Sequence, residues 1–477
     1  MIRMTVQNMV VATGASLVAG DPAVVFEGVG IDSRAVPAGG AFVAFVGERV
    51  DGNQFACSAF DAGAKVVVLT ASPTKEVLDR AQEPGGALVR AADDDGTEFM
   101  LALARAWREL NPQWTVVGVT GSVGKTTTKE MLAAGIGACR RTYSTAGNLN
   151  SMLGVPLTLF AASPEDEALV VEMGMNNAGE LLRISAAVRP CVAVITNVGT
   201  SHIGNLGSRE GIARAKAEVV QGMRAKDGVG PTLVLTDGDD YSDFIQREFC
   251  EPAGVATLRV GGKDCDVRTS GVTLDEDGMP TVEAVVGDEV LEGTLSLPGR
   301  AMVSDLMSAM GVIRALGMPC KEPFEAICKM KAAHMRLEVG KAKSGARVID
   351  DSYNASPSSM AAALDVLCSM RCEGRRIAVL GEIGELGDQA RGLHELVGAY
   401  AAAKPLDMLV VIGEDNARQM ARAACTMGFS EDRLELFANA DDAAKTIVPL
   451  LGQGDLVLVK ASRAAGLDKF AKEVLDA

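Results

Sequence analysis

A glycine-rich segment with one lysine gives the first indication of chemistry. Between a short apolar run and a helix-like stretch, the chain reads Thr120-Gly121-Ser122-Val123-Gly124-Lys125-Thr126-Thr127. Glycines there let several backbone N–H groups face one anion, and the start of the next helix adds positive potential. We expect the whole segment to bind nucleotide phosphates, with Lys125 on the terminal phosphates and Thr126 on Mg²⁺. The strict pattern has glycine at the place of Val119, so an ordinary glycine-rich turn is the alternative.

A carboxylate at the end of an apolar run is the second candidate. The run Ala168–Val171 is followed directly by Glu172. In phosphate-loop enzymes an acidic residue after a neighbouring strand holds Mg²⁺, and carboxylate oxygens suit that ion. We expect Glu172 to bind Mg²⁺ directly or through water. The sequence has no Asn-Lys-x-Asp motif of the kind that reads guanine in GTPases, so the phosphate loop alone leaves the reaction open.

Two groups of short apolar runs predict the sheets that position these residues. Runs of this length are typical of parallel strands buried on both faces, and helix-like segments alternate with them. The groups comprise Thr115–Val119, Ala168–Met173, Val192–Thr196 and Thr232–Leu235, and then Arg347–Asp351, Arg376–Leu380, Met408–Ile412 and Leu456–Val459. Residues 261–297 predict short antiparallel strands, and residues 96–110 predict a helix that ends before Asn111-Pro112.

The chain is too long for one hydrophobic core. For 477 residues, the usual domain size suggests about three domains. We expect an α/β protein with a mixed α/β N-terminal domain at residues 1–112 and a central phosphate-loop (P-loop) mononucleotide-binding domain on a parallel sheet at 113–317. A C-terminal Rossmann-like domain is expected at 318–477.

Composition excludes several classes of protein. The net charge is −16 without a long Lys/Arg run, and aromatic residues make up only 4%, which argues against nucleic-acid binding. No apolar run reaches membrane-spanning length, and residues 1–18 lack the pattern of a signal peptide. We expect a cytoplasmic protein without membrane insertion, and we expect it to be a monomer.

Four further blocks, together with the phosphate loop, resemble the Mur ligase family. In the family's order and spacing, they are Thr145-Ala146-Gly147-Asn148-Leu149-Asn150 with Gly154-Val155-Pro156, Glu172-Met173-Gly174-Met175-Asn176 with Gly179-Glu180, Thr196-Asn197-Val198-Gly199 with His202, and Ile212-Ala213 with Ala215-Lys216 and Glu218. The resemblance covers nearly the whole chain. It implies an ATP-dependent ligase that activates a carboxylate as an acyl phosphate, which an amine then attacks.

Two more blocks narrow the substrates that the resemblance implies. Asp32-Ser33-Arg34 resembles the family's uridine-binding N-terminal domain, and Asp350-Asp351-Ser352-Tyr353-Asn354-Ala355 resembles the block found in members that add D-alanyl-D-alanine. The implied substrates are UDP-N-acetylmuramoyl-tripeptide and D-alanyl-D-alanine, in peptidoglycan precursor synthesis. The implied substrate-binding residues are Ser33, Arg34, Asn148, Tyr353 and Asn354.

The resemblance also implies metal ligands and catalytic groups. The γ-phosphate and the carboxylate are both anions, so two Mg²⁺ ions are expected between them. The implied metal ligands are Thr126, Glu172, His202 and Lys216, and the implied catalytic groups are Lys125, Lys216, His202 and Arg336. Lys216 is implied to be carbamylated by CO₂, which makes it an anion. Arg336 would neutralise charge on the transferring phosphate, and Asp351 would accept a hydrogen bond from a ribose hydroxyl.

Several positions depart from the family pattern. Ala301, Met302 and Asp305 stand where the family has polar side chains that face adenine. The resemblance therefore implies an intact chemical core beside an altered nucleotide-base site. A C-terminal block also matches and is expected on the side of the incoming dipeptide, at Lys460, Ser462 and Arg463.

Other functions remain open at this point. A related ligase could add the third residue of the peptide stem, or act on folate, although the block at residues 32–34 argues against folate. A non-catalytic sensor of muramyl peptides is an alternative from a different class. The altered adenine block favours a sensor, whereas retention of Lys125, Glu172 and Lys216 argues for an enzyme.

Overall fold

Two small sheets form the core of the N-terminal part. The computed structural model describes residues 1–47 and 49–477. The elements here are β1 (Arg3–Thr5), α1 (Val6–Thr13), β2 (Ser16–Gly20), β3 (Val25–Glu27), β4 (Val29–Gly30), β5 (Ala41–Val43), α2 (Ala56–Asp61), β6 (Val66–Leu69), α3 (Lys75–Ala81), β7 (Ala87–Arg90) and α4 (Gly96–Leu110). Strands β1 and β3 pair antiparallel. The second sheet has the order β2-β7-β6-β5-β4, in which only β2 runs antiparallel to its neighbour.

A nine-stranded sheet forms the central part. Its strands are β8 (Thr115–Thr120), β9 (Thr142–Ser144), β10 (Ala168–Glu172), β11 (Val192–Ile195), β12 (Thr232–Thr236), β13 (Ala256–Val260), β14 (Val267–Leu274), β15 (Pro280–Val286) and β16 (Glu289–Thr294). The helices are α5 (Lys125–Gly137), α6 (Gly154–Ala161), α7 (Glu180–Val188), α8 (Ile203–Leu206), α9 (Arg209–Ala217), α10 (Val219–Gly222), α11 (Ser242–Ile245), α12 (Glu251–Ala253), α13 (Ala301–Ala315) and α14 (Lys321–Cys328). The order is β16-β15-β14-β13-β12-β11-β8-β10-β9, and β14, β15 and β16 pair antiparallel while the other strands are parallel.

A six-stranded sheet forms the C-terminal part, with the order β17-β18-β22-β19-β20-β21. The elements are β17 (Glu338–Lys341), β18 (Arg347–Asp351), α15 (Pro357–Ser369), β19 (Arg376–Gly381), α16 (Ala390–Ala402), β20 (Met408–Ile412), α17 (Asp415–Thr426), β21 (Leu434–Phe437), α18 (Ala440–Ile447), β22 (Leu456–Lys460) and α19 (Asp468–Asp476). Only β17 is antiparallel to its neighbour.

The central sheet brings the candidate residues to one edge. Strand β8 lies between β10 and β11 and is parallel to both. The side chains of Val117 and Val119 on β8 are fully buried, as expected for a strand covered on both faces. Because the carboxyl ends of parallel strands meet at one edge, the segments after β8, β10 and β11 converge there. Ligands bind at this edge in open α/β sheets.

The α/β architecture and the predicted strands are confirmed. The eight apolar runs form β8, β10, β11, β12, β18, β19, β20 and β22, with ends that differ from the predicted ends by at most one residue. The helix at residues 96–110 and the antiparallel strands within 261–297 are also present. The domain limits of 1–112, 113–317 and 318–477 stay predictions. In the described part of the chain, no helix combines the length and apolarity needed to cross a bilayer.

Candidate active site

The loop between β8 and α5 has the shape of an anion cradle. Gly121 and Gly124 adopt φ angles of 146° and 85°, which non-glycine residues rarely adopt. A Cβ atom on Gly121 would also collide with the hydroxyl of Thr196. Asn197 braces the loop, because its amide donates to the Val123 carbonyl at 2.9 Å and accepts from the Val123 N–H at 3.0 Å. The backbone is therefore fixed in place for a phosphate group.

Lys125 folds back onto this loop at the start of α5. Its Nζ donates to the carbonyl oxygens of Gly121 at 2.8 Å and Ser122 at 3.3 Å. Burial lowers the pKa of the Lys125 ammonium, Glu172 opposes that shift, and the charge of Arg336 adds to it. The same ammonium has the reach to leave these carbonyls for the terminal phosphates of a nucleotide.

Glu172 fits a Mg²⁺ ion. Its side chain is only 2% exposed, and its Oε1 accepts a hydrogen bond from Asn150 Nδ2 at 2.7 Å. Its Oε2 is buried and lacks a hydrogen-bond partner among the described residues. A buried carboxylate oxygen without a partner is costly, and a hard cation would satisfy it. The hydroxyl of Thr126 lines the same cavity.

His202 lines the same cavity and meets the C-terminal part at Glu385. It has a left-handed backbone, with φ of 63°, directly before α8. Its Nδ1 is 2.6 Å from Glu385 Oε2. The contact with His202 holds the pKa of the Glu385 carboxyl below its usual range. No group of three or more His, Cys, Asp or Glu side chains in residues 1–47 and 49–477 has the geometry of a metal site, so a role for His202 as a metal ligand stays a prediction.

Lys216 is buried in α9 and does not line the cavity. Its side chain is 2% exposed. Burial lowers the pKa of its amine well below the usual range, and the positive charge of Lys125 lowers it further. The folded environment therefore favours the neutral amine, which lies within the electrostatic influence of the phosphate loop.

The C-terminal part contributes Arg336, Asp351 and Tyr353 to the cavity. Arg336 Nη2 is 3.3 Å from Thr126 Oγ1, so this arginine reaches the phosphate loop. Asp351 Oδ2 accepts a hydrogen bond from Lys460 Nζ at 2.5 Å. Arg336, which is distant from the loop in sequence, therefore lies beside it in the fold, and Asp351 lines the same cavity.

One cavity of about 500 Å³ unites these groups. Its lining includes Asn148 and Asn354, as predicted for substrate contacts, and Ala301, Met302 and Asp305 from the start of α13. Ser33 and Arg34 are not among its lining residues. Arg34 instead pairs with Asp32 at the surface, at 2.7 Å. A substrate that contacts both places must extend beyond the cavity.

Comparison with known proteins decides the family. Family models match the chain at residues 25–108 ("Mur ligase family, catalytic domain"), 119–313 ("Mur ligase middle domain") and 335–463 ("Mur ligase, glutamate ligase domain"). A Bacillus subtilis protein named UDP-N-acetylmuramoyl-tripeptide–D-alanyl-D-alanine ligase is 34% identical and covers 100% of this chain and 99% of its own. The chain belongs to the Mur ligase family. The Escherichia coli protein of the same name is 28% identical over 99% of this chain and 98% of its own.

Solved structures agree with this assignment to the Mur ligases. A crystal structure of MurF from Acinetobacter baumannii superposes with a TM-score of 0.87 at 29% identity, over 100% of this chain and 99% of that one. MurF ligase from Thermotoga maritima in complex with ADP gives a TM-score of 0.78 at 28% identity, over 94% of this chain and 98% of that one. The expected three-domain α/β fold of the Mur ligases is therefore confirmed.

Sequence reasoning missed three residues that shape this Mur ligase site. Asn150 holds Glu172, Asn197 braces the phosphate loop, and Glu385 meets His202. Asn150 and Asn197 lie in the family blocks, and Asn197 follows β11 at the edge where β8 also ends. Asn150 and Asn197 could therefore have been identified from their positions in the family blocks. Glu385 has no local signal, because its contact depends on how the C-terminal part packs against α8.

Proposed function

We propose that the chain is an ATP-dependent ligase that joins D-alanyl-D-alanine to UDP-N-acetylmuramoyl-tripeptide in peptidoglycan precursor synthesis. Similarity along the full length to ligases of this name is the observation that carries the proposal. The cavity supports it, because a phosphate loop, a buried acidic residue and an arginine converge on one space. We propose the cytoplasm as the place of the reaction, because its substrates would be ATP and a nucleotide-linked precursor.

Different residues of the cavity would contribute to different parts of acyl phosphate formation. The phosphate loop and Lys125 bind the nucleotide phosphates through backbone N–H groups and one ammonium. Thr126 and Glu172 would hold Mg²⁺, which would reduce the repulsion between the γ-phosphate and the substrate carboxylate. Arg336 neutralises charge on the phosphoryl group as it transfers. The substrate carboxylate attacks the γ-phosphorus, and ADP leaves. The neutral amino group of the dipeptide then attacks the acyl carbon, phosphate leaves, and the amine releases one proton.

The test is a reaction with ATP, Mg²⁺, UDP-N-acetylmuramoyl-tripeptide and one candidate amine, followed by mass analysis. We expect ADP and phosphate to form only when the muramyl-tripeptide and D-alanyl-D-alanine are both present, with the dipeptide added to the product. Equal turnover with meso-diaminopimelate or lysine would reject this amine specificity. Binding of the muramyl-peptide without ADP formation would favour a sensor.

Carbamylation of Lys216 is a second part of the proposal. A neutral amine attacks CO₂ and releases one proton, and the product is an anionic carbamate. The neutral state is favoured because Lys216 is buried and has a strongly lowered pKa. The nearby charge of Lys125 would stabilise the carbamate once it forms. The carbamate would carry the negative charge that the predicted role of Lys216 as a metal ligand requires.

Carbon-13 NMR in ¹³C-bicarbonate measures this modification directly. We expect a carbamate signal from the natural protein, no signal from Lys216→Ala, and a fall in kcat of about 10–100-fold for that variant, the range for lost support of a metal site. Lys129 is the matched control, because it is equally buried but donates to the Thr145 carbonyl at 3.0 Å. A signal that survives Lys216→Ala and disappears in Lys129→Met would assign the carbamate to Lys129 and contradict the proposal for Lys216.

A further inference from the structure

The guanidinium group of Arg336 approaches the phosphate loop and has no carboxylate partner in the part of the chain that the structure describes. The only hydrogen bond of its guanidinium group among the described residues is the one to Thr126 Oγ1, and 3.3 Å is long for such a bond. A guanidinium group has five N–H donors, so most donors of Arg336 stay available to an anion in the cavity. This is the state that an arginine needs before a phosphoryl group arrives.

The backbone on both sides of Arg336 is in an unusual conformation. Met335 and Leu337 have left-handed φ angles of 57° and 51°, which non-glycine residues rarely adopt. Such a conformation persists only where surrounding contacts hold it. Glu338 accepts a hydrogen bond from the Met335 N–H at 3.1 Å, and Asp351 accepts one from the Leu337 N–H at 3.3 Å.

Tyr353 supplies the contact that orients the guanidinium group. Arg336 Cζ lies 4.3 Å from the centroid of the Tyr353 ring, well within the range of a cation–π interaction. Arg463 Cζ lies over the same ring at 5.7 Å. Stacking fixes the plane of a guanidinium group and consumes none of its N–H donors. A carboxylate partner would occupy those donors and would have to be displaced by the phosphate.

Lys460 pairs with the carboxylate of Asp351, which lines the same cavity as Arg336. Its Nζ donates to Asp351 Oδ2 at 2.5 Å and to the Asn354 carbonyl at 3.1 Å. Lys460 and Asp351 are both buried. Burial lowers the pKa of Lys460, Asp351 opposes this shift, and the charge of Arg336 adds to it, which places Arg336 within electrostatic reach of the pair. Without Lys460, Asp351 would be a buried anion, and Arg336 is the cation next to it.

We propose that Tyr353 and Lys460 are positioning residues that keep Arg336 stacked, unpaired and directed at the phosphoryl group. Tyr353 orients the guanidinium group, and Lys460 prevents Asp351 from capturing it. The identity of the transferred group rests on the proposed ligase function. The positioning of Arg336 would apply to any nucleotide whose γ-phosphate occupies the cavity.

The first experiment measures dissociation constants for ADP and for ADP with aluminium fluoride, which mimics the transferring phosphoryl group, in the presence of Mg²⁺. We expect Tyr353→Phe to bind both as the natural protein does. Tyr353→Leu should weaken the aluminium fluoride complex by about 5–30-fold, the equivalent of about 1–2 kcal/mol for a half-buried cation–π contact, and leave ADP within about threefold. In the ligation assay, the loss should appear in kcat and not in the KM for ATP.

Tyr400 provides a matched control. Its ring has Lys404 Nζ at 4.3 Å from the centroid, and it lies in the C-terminal part without lining the cavity. Tyr400→Leu removes the same side chain and should leave both dissociation constants unchanged. If Tyr353→Leu behaves like Tyr353→Phe or like Tyr400→Leu, the role of Tyr353 is wrong.

The second experiment is a double-mutant cycle on Lys460 and Asp351. Lys460→Met should weaken the aluminium fluoride complex by about tenfold or more, and Lys460→Met with Asp351→Asn should recover to within about threefold of Asp351→Asn alone. A double variant as weak as Lys460→Met would overturn the role of Lys460. The dissociation constants in both experiments are measured without the muramyl-peptide, so they decide on positioning even where ligation by the natural protein fails. The half-buried Tyr353 remains testable if Lys460→Met does not fold.

Discussion

Replacing Lys125 with methionine should lower kcat/KM for ATP by about 10²–10³-fold, the loss typical of removing one preorganised group that meets developing charge. Lys125 is the only lysine of the phosphate loop, and its ammonium already lies against Gly121 and Ser122. The same change should raise the melting temperature at neutral pH. Burial lowers the pKa of Lys125, so the folded state disfavours the charged amine, and an apolar side chain of similar length removes that penalty.

Steady-state kinetics and thermal unfolding measure the two effects. Lys472→Met is the control. Because Lys472 is exposed on α19, this variant should leave both the activity and the melting temperature unchanged. A loss of activity together with a gain of stability indicates a residue that contributes to function and destabilises the fold. Retention of more than about a tenth of the activity would mean that the backbone N–H groups bind the phosphates without help from Lys125.

The sequence predicted those parts of the site that depend on local chemistry. The phosphate loop and Glu172 follow buried strands, and the carboxyl ends of parallel strands must meet at one edge. Their convergence therefore follows from the strand pattern alone. The structure adds how each group is supported, for example the hydrogen bond from Asn150 to Glu172.

Contacts between distant segments could not be predicted in the same way. His202 meets Glu385, and Lys460 meets Asp351, only because the C-terminal sheet packs against the central part. No periodicity within either segment specifies such a pairing. The family resemblance placed Lys460 only on the side of the incoming dipeptide, and its contact with Asp351 is the basis of the positioning role that we propose for it. Arg34 pairs with Asp32, so its predicted substrate contact gains no support from the cavity.

Asp305 provides the second large expected effect, in the pH dependence of stability. Its carboxyl lies against Gly124 of the phosphate loop, at the place that a Cβ atom would need. Burial raises the pKa of Asp305 to about 8, and the Thr128 hydroxyl opposes the shift only in part. The ordinary value is 3.8, so the folded state binds a proton that the unfolded chain has lost. Stability should therefore fall as the pH rises from about 4 to about 8, and level off beyond.

Asp305→Asn removes this dependence while it preserves shape and polarity. One pKa unit corresponds to about 1.4 kcal/mol, so we expect the variant to be more stable by about 3–5 kcal/mol at pH 9 and nearly unchanged at pH 4. Urea unfolding at the two pH values measures the difference, with Asp288→Asn on an exposed turn as the control. An equal effect of Asp305→Asn at both pH values would mean that Asp305 is ionised in the fold. With its carboxyl protonated, as the raised pKa favours below about pH 8, Asp305 would add no negative charge beside Gly124, and a carboxyl group at this position would then be compatible with polyphosphate binding.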